Sequence, residues 1–134
     1  MPMGPEPLGL FYYVAVKAVG YTGAGYLLKR KFEHSPHFLV FGIARTILGI
    51  IVGITYALCT EKYGLELTSP MFYILLLPVR FAEWFFIIWL FYHRHGINLR
   101  QLILYSVLGT IWSYFLDAPA IASVIFLPGG VWVC

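Results

Sequence analysis

Four long apolar segments, separated by short polar loops, are the feature that most limits what this chain can fold into. A helix needs about 20 mostly apolar residues to cross a bilayer. The chain has such segments at about residues 8–28, 36–60, 70–94 and 99–127. Short loops join antiparallel neighbours. The sequence therefore predicts an all-α integral membrane protein, a single transmembrane domain over residues 1–134 folded as an up-down-up-down four-helix transmembrane bundle.

Composition supports this class and excludes others. Hydrophobic residues make up 60% of the 134 residues and charged residues only 11%, whereas an average soluble domain has about 25% charged residues. So few charged side chains do not cover the surface of a small domain in water. The formal net charge of +3 comes without a long basic stripe, so we expect no nucleic-acid partner. The partner that composition indicates is the lipid bilayer.

Proline, glycine and capping residues mark the helix ends. Ser-Pro pairs at residues 35–36 and 69–70 place a cap before a proline at the first helical position. Gly64 and Gly96 follow the second and third segments, where glycine favours a left-handed C-terminal cap. Asn-Leu-Arg-Gln at residues 98–101 is typical of a capping box. These signals predict four helices joined by short loops.

The fourth segment contains a proline that allows two structures. Pro119 lies two residues after Asp117. Either the helix continues to about residue 127 with a kink near Pro119, or Asp117 caps a separate short helix. We predict the kinked continuation.

Positive charge is distributed unevenly among the loops. The first loop carries Lys-Arg-Lys at residues 29–31, and the third carries Arg94 and Arg100. The second loop sets Lys62 against acidic neighbours. Since cytoplasmic loops carry the excess of Lys and Arg, loops 1 and 3 are predicted to be cytoplasmic. Both termini are then non-cytoplasmic (N-out, C-out).

Five ionisable side chains fall inside the predicted spans and form the candidate site: Lys17, Arg45, Arg80, Glu83 and Asp117. A charge at the centre of a membrane helix costs about 2.5–3.5 kcal/mol, so five charges require compensating partners. Measured along the helices from their cytoplasmic ends, the first four lie about 12–18 Å deep and Asp117 about 24–27 Å deep. Four of the five are therefore expected in one layer near the bilayer midplane.

Two interpretations of these charges are open. In the first, they form a salt-bridge network that holds the helices in register, because buried charges are paired. Glu83 then neutralises Arg80, three residues before it on the same helix, and Asp117 neutralises Lys17 or Arg45. In the second, the charges line a polar cavity that binds a ligand.

Two features favour a ligand site. Three cations stand against two carboxylates, which leaves one positive charge if all five groups are ionised. Pro78 has no N–H, so the carbonyl of Ile74 loses its helical partner. An excess cation beside free polar groups indicates a site for an anion, a lipid headgroup or a proton on Glu83.

The first functional hypothesis is a small polytopic transporter or channel-like protein with a mid-membrane site for an anionic or proton-coupled small substrate. Its expected substrate-binding residues are Lys17, Arg45, Arg80, Glu83 and Asp117, with the two arginines on the anionic group. Because four short spans rarely enclose a pathway alone, we expect a homo-oligomer.

Two alternatives come from other classes. A membrane-embedded enzyme would act on a lipid or isoprenoid substrate, an apolar small molecule, with Glu83 and Asp117 as the catalytic acid/base pair. An accessory subunit would complete the interior of a larger membrane complex. The chain has no Walker, GxGxxG, HExxH or GxSxG motif, and we expect no cofactor.

Histidines and cysteines contribute little to this choice. The histidines flank the predicted cytoplasmic ends of the second and third segments: His34, His37, His93 and His95. A cation, Arg94, stands between the last two, and we predict no metal site. Cys59 and Cys134 both fall on the predicted outer side, where an oxidising compartment permits a disulfide. Whether these two cysteines pair is open.

Small and aromatic residues predict how the helices pack. The GxxxG motif over residues 49–53 and the small pair Gly109 and Ser113 indicate closely packed helices. The third segment is bulky and aromatic, and we expect its aromatic side chains to face lipid. Trp89 and Tyr92 are expected at the cytoplasmic interface.

Overall fold

The computed structural model describes residues 7–32, 37–64 and 70–126, and within these ranges the chain is helical and contains no strand. The helices are α1 (Pro7–Lys31), α2 (Phe38–Lys62), α3 (Pro70–Tyr92) with a 3-10 turn at His93–His95, and α4 (Leu99–Phe126). Each long helix begins and ends within three residues of an apolar segment predicted from the sequence.

Three of the helical stretches are long and apolar enough to cross a membrane: Phe38–Lys62, Pro70–His95 and Leu99–Pro119. The prediction of an all-helical fold is confirmed for the described residues, and the three long apolar helices support a membrane protein. Helix α1 has 25 residues, the same length as α2, but its side chains are less apolar on average.

The burial pattern also fits a membrane. Large apolar side chains point outward, with Val19 74% and Phe115 69% exposed, while Arg45 is 0% exposed. Soluble proteins rarely expose large contiguous apolar patches. In membrane proteins, by contrast, ionisable residues face the interior of the helix assembly.

The helix ends follow the predicted signals. Gly64 and Gly96 have φ of 69° and 76°, in the left-handed region that only glycine enters cheaply. The N–H of Asn98 donates to Oε1 of Gln101 at 3.3 Å, half of the predicted capping box. Helix α3 begins at Pro70 as expected. Helix α2 begins at Phe38 after His37, so its predicted start at residue 36 is wrong by two residues; the Ser-Pro pair at residues 35–36 itself lies outside the described residues.

Helix α4 continues through Pro119 to Phe126. The helix therefore continues past Pro119 as predicted, and the alternative of a separate short helix is wrong. The reason lies in Asp117, whose carboxylate binds cations of other helices instead of capping a helix start. The kink near Pro119 stays a prediction.

The helices contact one another in a closed ring: α1 touches α2 and α4, and α3 touches α2 and α4. Helices α1 and α2 are antiparallel, since Thr22 lies against Gly42 and Gly25 lies against Phe38. A methyl group at Gly42 would stand only 2.9 Å from the backbone nitrogen of Thr22. Backbones that touch at small residues are typical of membrane helix packing.

An aromatic core fills the half of the interior nearest the end of α1. The rings of Tyr21 and Trp84 meet edge to face at 5.7 Å, and those of Phe41 and Tyr92 at 6.0 Å. Trp84 is 1% and Tyr92 0% exposed, so the expectation that Trp84 faces lipid is wrong. Tyr92 also points inward, and its position at the cytoplasmic interface stays a prediction. These faces of α3 turn inward because the other helices supply small partners, such as Gly109 beneath Trp84.

Candidate functional site

All five predicted site residues are buried in the interior. Their relative exposures are 2% for Lys17, 0% for Arg45, 1% for Arg80, 9% for Glu83 and 2% for Asp117. They come from all four helices. Among the described residues, three ion pairs connect them. We call these five residues the charge layer.

Asp117 pairs with two cations. The ammonium group of Lys17 donates to its Oδ1, and Nη2 of Arg80 donates to its Oδ2 at 2.6 Å. The expectation that Asp117 neutralises Lys17 is confirmed. The expectation that Asp117 stands apart from the layer of the other charges is wrong, because the long side chains of Lys17 and Arg80 both reach its carboxylate.

Glu83 pairs with α2 and not with its own helix. Nη2 of Arg45 donates to Oε2 of Glu83 at 2.7 Å, so the expected pairing of Glu83 with Arg80 is wrong. Residues three apart on a helix differ by about 60° around its axis. That angle lets Arg80 reach α4 while Glu83 reaches α2.

A polar cluster beside the ion pairs connects α1, α3 and α4. The Lys17 ammonium also donates to the hydroxyl of Tyr21 at 3.3 Å and to the carbonyl of Ser113 at 3.5 Å. Nε1 of Trp84 donates to Oγ of Ser113 at 2.8 Å, and the Tyr21 hydroxyl lies 3.2 Å from the same oxygen. Ser113 therefore joins the charge layer to the aromatic core.

Aromatic rings cover the guanidinium groups. Cζ of Arg45 lies 4.8 Å from the ring centre of Tyr21 and 5.0 Å from that of Trp84. Cζ of Arg80 lies 5.2 Å from the ring centre of Tyr114. Cation–π contacts of this kind gain strength in a desolvated interior. They stabilise the arginines without neutralising them.

Both arginines keep hydrogen-bond donors that no described residue uses. Within the described part of the chain, Nε and Nη1 of Arg45 and of Arg80 have no hydrogen-bond partner. A buried donor without an acceptor costs about 1–3 kcal/mol, and more when it is charged. Four such nitrogens on two fully buried arginines leave N–H groups in the interior that the described residues do not use.

Glycine at position 49 gives the Arg45 side chain its room. A Cβ on Gly49 would lie 3.1 Å from Nη1 of Arg45. The GxxxG motif was expected to serve helix packing, but in the structure its first glycine borders a guanidinium group.

Two tyrosines bind carbonyls in the first turn of α3. The hydroxyl of Tyr114 donates to the carbonyl of Tyr73 at 2.8 Å, and the hydroxyl of Tyr56 donates to that of Phe72 at 2.8 Å. Pro78 lies inside α3, where it weakens the local helical hydrogen bonds. The phenol groups of α2 and α4 thus hold the first turns of α3 in place.

The histidines and cysteines are not brought together where the structure describes them. His37, His93 and His95 are exposed, and no group of three or more possible metal ligands occurs in the described ranges. His34 and Cys134 lie outside these ranges, so the pairing of Cys134 with the exposed Cys59 stays open.

Comparison of the chain with protein-family models, with curated proteins and with solved structures gives no match. Its function therefore has to be inferred from the chemistry of the charge layer.

Proposed function

We propose that this chain is a small membrane transporter or channel-like protein whose charge layer binds an anionic or proton-coupled small substrate. The observation that carries the proposal is the excess of positive charge. Among the described residues, the buried charges are three cations and two carboxylates, and two of the cations keep unused donors. Ionisable residues inside a membrane are costly and mark substrate or ion pathways.

The proposed architecture is a four-helix transmembrane bundle in which α1 crosses the membrane with the other three. Its support is the closed ring of helix contacts and the burial of Lys17, the charged residue in the middle of α1, inside that ring. Loops 1 and 3 are then cytoplasmic and both termini are outside, because the loops rich in Lys and Arg stay inside.

Epitope tags at both ends of the chain test this orientation. In intact cells, added protease is expected to remove both tags, since the positive loops hold the opposite ends of the helices in the cytoplasm. A third tag inserted at Gly96 is the control and is expected to stay protected. Protection of both terminal tags would contradict the proposed topology.

The arginines are the proposed anion ligands. Arg45 and Arg80 each direct one nitrogen to a carboxylate, which leaves their remaining N–H groups for the substrate. Glu83 and Asp117 hold the guanidinium groups in position, and Glu83 exchanges a coupling proton. Lys17 occupies one oxygen of Asp117 and thereby supplies the positive charge in excess. Assembly of several copies would complete the pathway around this site.

Replacing Lys17 with methionine tests the role of the excess charge. The variant keeps the pairs of Arg45 with Glu83 and of Arg80 with Asp117, and the charge layer becomes neutral. Anion flux is expected to fall at least about tenfold, a loss of about 1.4 kcal/mol of binding or barrier free energy. The measurement is efflux of chloride, nitrate or phosphate from liposomes containing the purified protein.

Lys62→Met is the matched control, because Lys62 is exposed at the end of α2. It removes one lysine from the chain without touching the charge layer, and we expect flux of the wild-type rate. Equal flux through the Lys17→Met variant, or no flux of any tested anion or of protons through the wild type, would contradict the proposal.

The enzyme alternative has less support from the geometry. Asp117 uses both carboxylate oxygens on cations, and Glu83 uses one. An acid/base pair needs an oxygen within reach of the substrate proton. Asp117 has no such oxygen to offer, because both of its oxygens are bound to cations.

A further inference from the structure

An apolar groove lies between α1 and α4, and none of the five residues of the charge layer lines it. It encloses a cavity of about 490 Å³, within the range of about 300–1,000 Å³ usual for ligand sites. Its outer walls carry exposed apolar side chains, including Leu27, Ile111 and Phe115. The groove therefore opens toward the surface that faces lipid.

The groove reaches the interior because of one glycine. Trp84 and Gly109 both line the groove, and a Cβ on Gly109 would lie 2.5 Å from Cε3 of Trp84. Without a side chain at position 109, the indole ring packs directly on the backbone of α4. The result is a flat aromatic surface inside the groove, suited to an apolar chain.

The length of the groove matches one leaflet of a bilayer. On α4 its lining extends from Tyr105 to Phe115, a rise of about 15 Å along the helix axis. The hydrocarbon core of a bilayer is about 30 Å thick. On α1 the lining ends at Lys31, near which the rings of Phe32 and Tyr105 are 5.8 Å apart. The groove thus extends about 15 Å from its charged end, which is half the thickness of the hydrocarbon core and the length available to one acyl chain.

Lys31 gives the groove a charge at its outer end. It is the last residue of α1, it is exposed, and it lines the cavity. Lys29 of the same basic run points elsewhere, with Nζ 5.7 Å from the ring centre of Phe38. An ammonium group at the headgroup level attracts anionic lipid, so the groove combines an apolar slot with a phosphate partner.

We propose that this groove binds one acyl chain of an anionic phospholipid, whose phosphate contacts Lys31. The inference does not depend on the proposed transport function, because it rests on residues outside the charge layer. Its occupant comes from the same leaflet as the basic end of α1.

Native mass spectrometry of the purified protein tests this site. The probes are phosphatidylglycerol and phosphatidylcholine with identical acyl chains, added in equal amounts to the detergent-solubilised protein. Phosphatidylglycerol adducts are expected to exceed phosphatidylcholine adducts about fivefold, the effect of about one lysine at an anionic surface. Lys31→Glu is expected to abolish this preference, whereas Lys31→Arg preserves it.

Two pairs of variants distinguish lipid binding in the groove from nonspecific attraction of lipid to the protein surface. Lys29→Glu makes the same change of charge beside the groove, and we expect it to retain most of the preference. Leu27→Trp places bulk on the exposed wall of the groove and is expected to reduce adducts of both lipids. Leu58→Trp makes that substitution at an equally exposed site on α2 and is expected to leave them unchanged.

Three results would overturn the proposal. Equal loss of preference in Lys29→Glu and Lys31→Glu would show that diffuse charge alone attracts the lipid. Unchanged binding by Leu27→Trp would place the acyl chain elsewhere. A dimer that carries no lipid and is disrupted by Leu27→Trp would show that a second copy of the chain covers the groove.

Discussion

Replacing Asp117 with asparagine is expected to destabilise the protein by about 3–5 kcal/mol, the usual cost of leaving a buried charge without its partner. Asp117 is the shared partner of Lys17 and Arg80, and both cations are at most 2% exposed. Asparagine keeps the shape of the side chain but removes its charge. The charge layer then holds three cations against Glu83 alone. Unfolding in mixed micelles of mild detergent and SDS measures the loss.

The double variant Lys17→Met with Asp117→Asn tests whether charge is the cause. It restores the wild-type net charge of the layer, since one cation and one carboxylate are removed together. We expect it to recover part of the lost stability, with Arg80 still lacking a carboxylate. Glu61→Gln is the control for the removal of a carboxylate, because Glu61 is exposed, and its effect is expected to stay within about 0.5 kcal/mol. Equal stability of Asp117→Asn and Glu61→Gln would contradict the assignment of Asp117 as the central anion.

Burial of the five charges could be predicted because their positions lie far from the ends of apolar segments. Their pairing could not be predicted, since it depends on how each helix is rotated. Glu83 pairs with Arg45 and Arg80 with Asp117, although the spacing of Arg80 and Glu83 along the chain favoured a pair within α3. Distances along the sequence fix depth to within a few residues, whereas a rotation of about 60° changes the partner.

Two aromatic members of the site were missed, although the sequence contains a signal for them. Tyr21 follows Lys17 by four residues and Trp84 follows Arg80 by four, a spacing that places both pairs on one helix face. An aromatic residue on the face of a buried cation is thus an interior residue and not a lipid-facing one. The expectation that Trp84 faces lipid rests on the aromatic content of the whole third segment. That content does not distinguish the buried face of α3 from its exposed face.

The helix ends were predictable for a different reason. Gly64, Gly96 and the residues at 98–101 act through local backbone chemistry, so neighbouring residues in sequence are enough to identify them. The backbone contact of Gly42 with Thr22 is the opposite case. Gly42 lies seven residues before Gly49, the first glycine of the GxxxG motif. The only sequence signal for it is that Gly42, Thr46 and Gly49 lie on the same face of α2 and form a stripe of small residues.

Alanine at Gly42 is expected to cause the second large loss of stability, about 3 kcal/mol, at the upper end of the cost of overpacking. Its Cβ would stand 2.8 Å from Cα and 2.9 Å from the backbone nitrogen of Thr22. A flexible side chain relieves such a clash by changing rotamer, but a backbone moves only with its helix. Separation of α1 from α2 would also pull Lys17 away from Asp117. The same detergent unfolding measurement reports the change.

Gly23→Ala is the matched control, since it makes the identical substitution on α1 at a position where a Cβ meets nothing within 4 Å. Alanine favours a helix over glycine by up to about 1 kcal/mol, so we expect Gly23→Ala to be neutral or stabilising. The two variants share any effect on helix propensity and differ in the contact with Thr22. Similar stability of both would contradict the direct packing of α2 on α1. A loss confined to Gly42→Ala, accompanied by lower anion flux, would show that this backbone contact positions Lys17 in the charge layer.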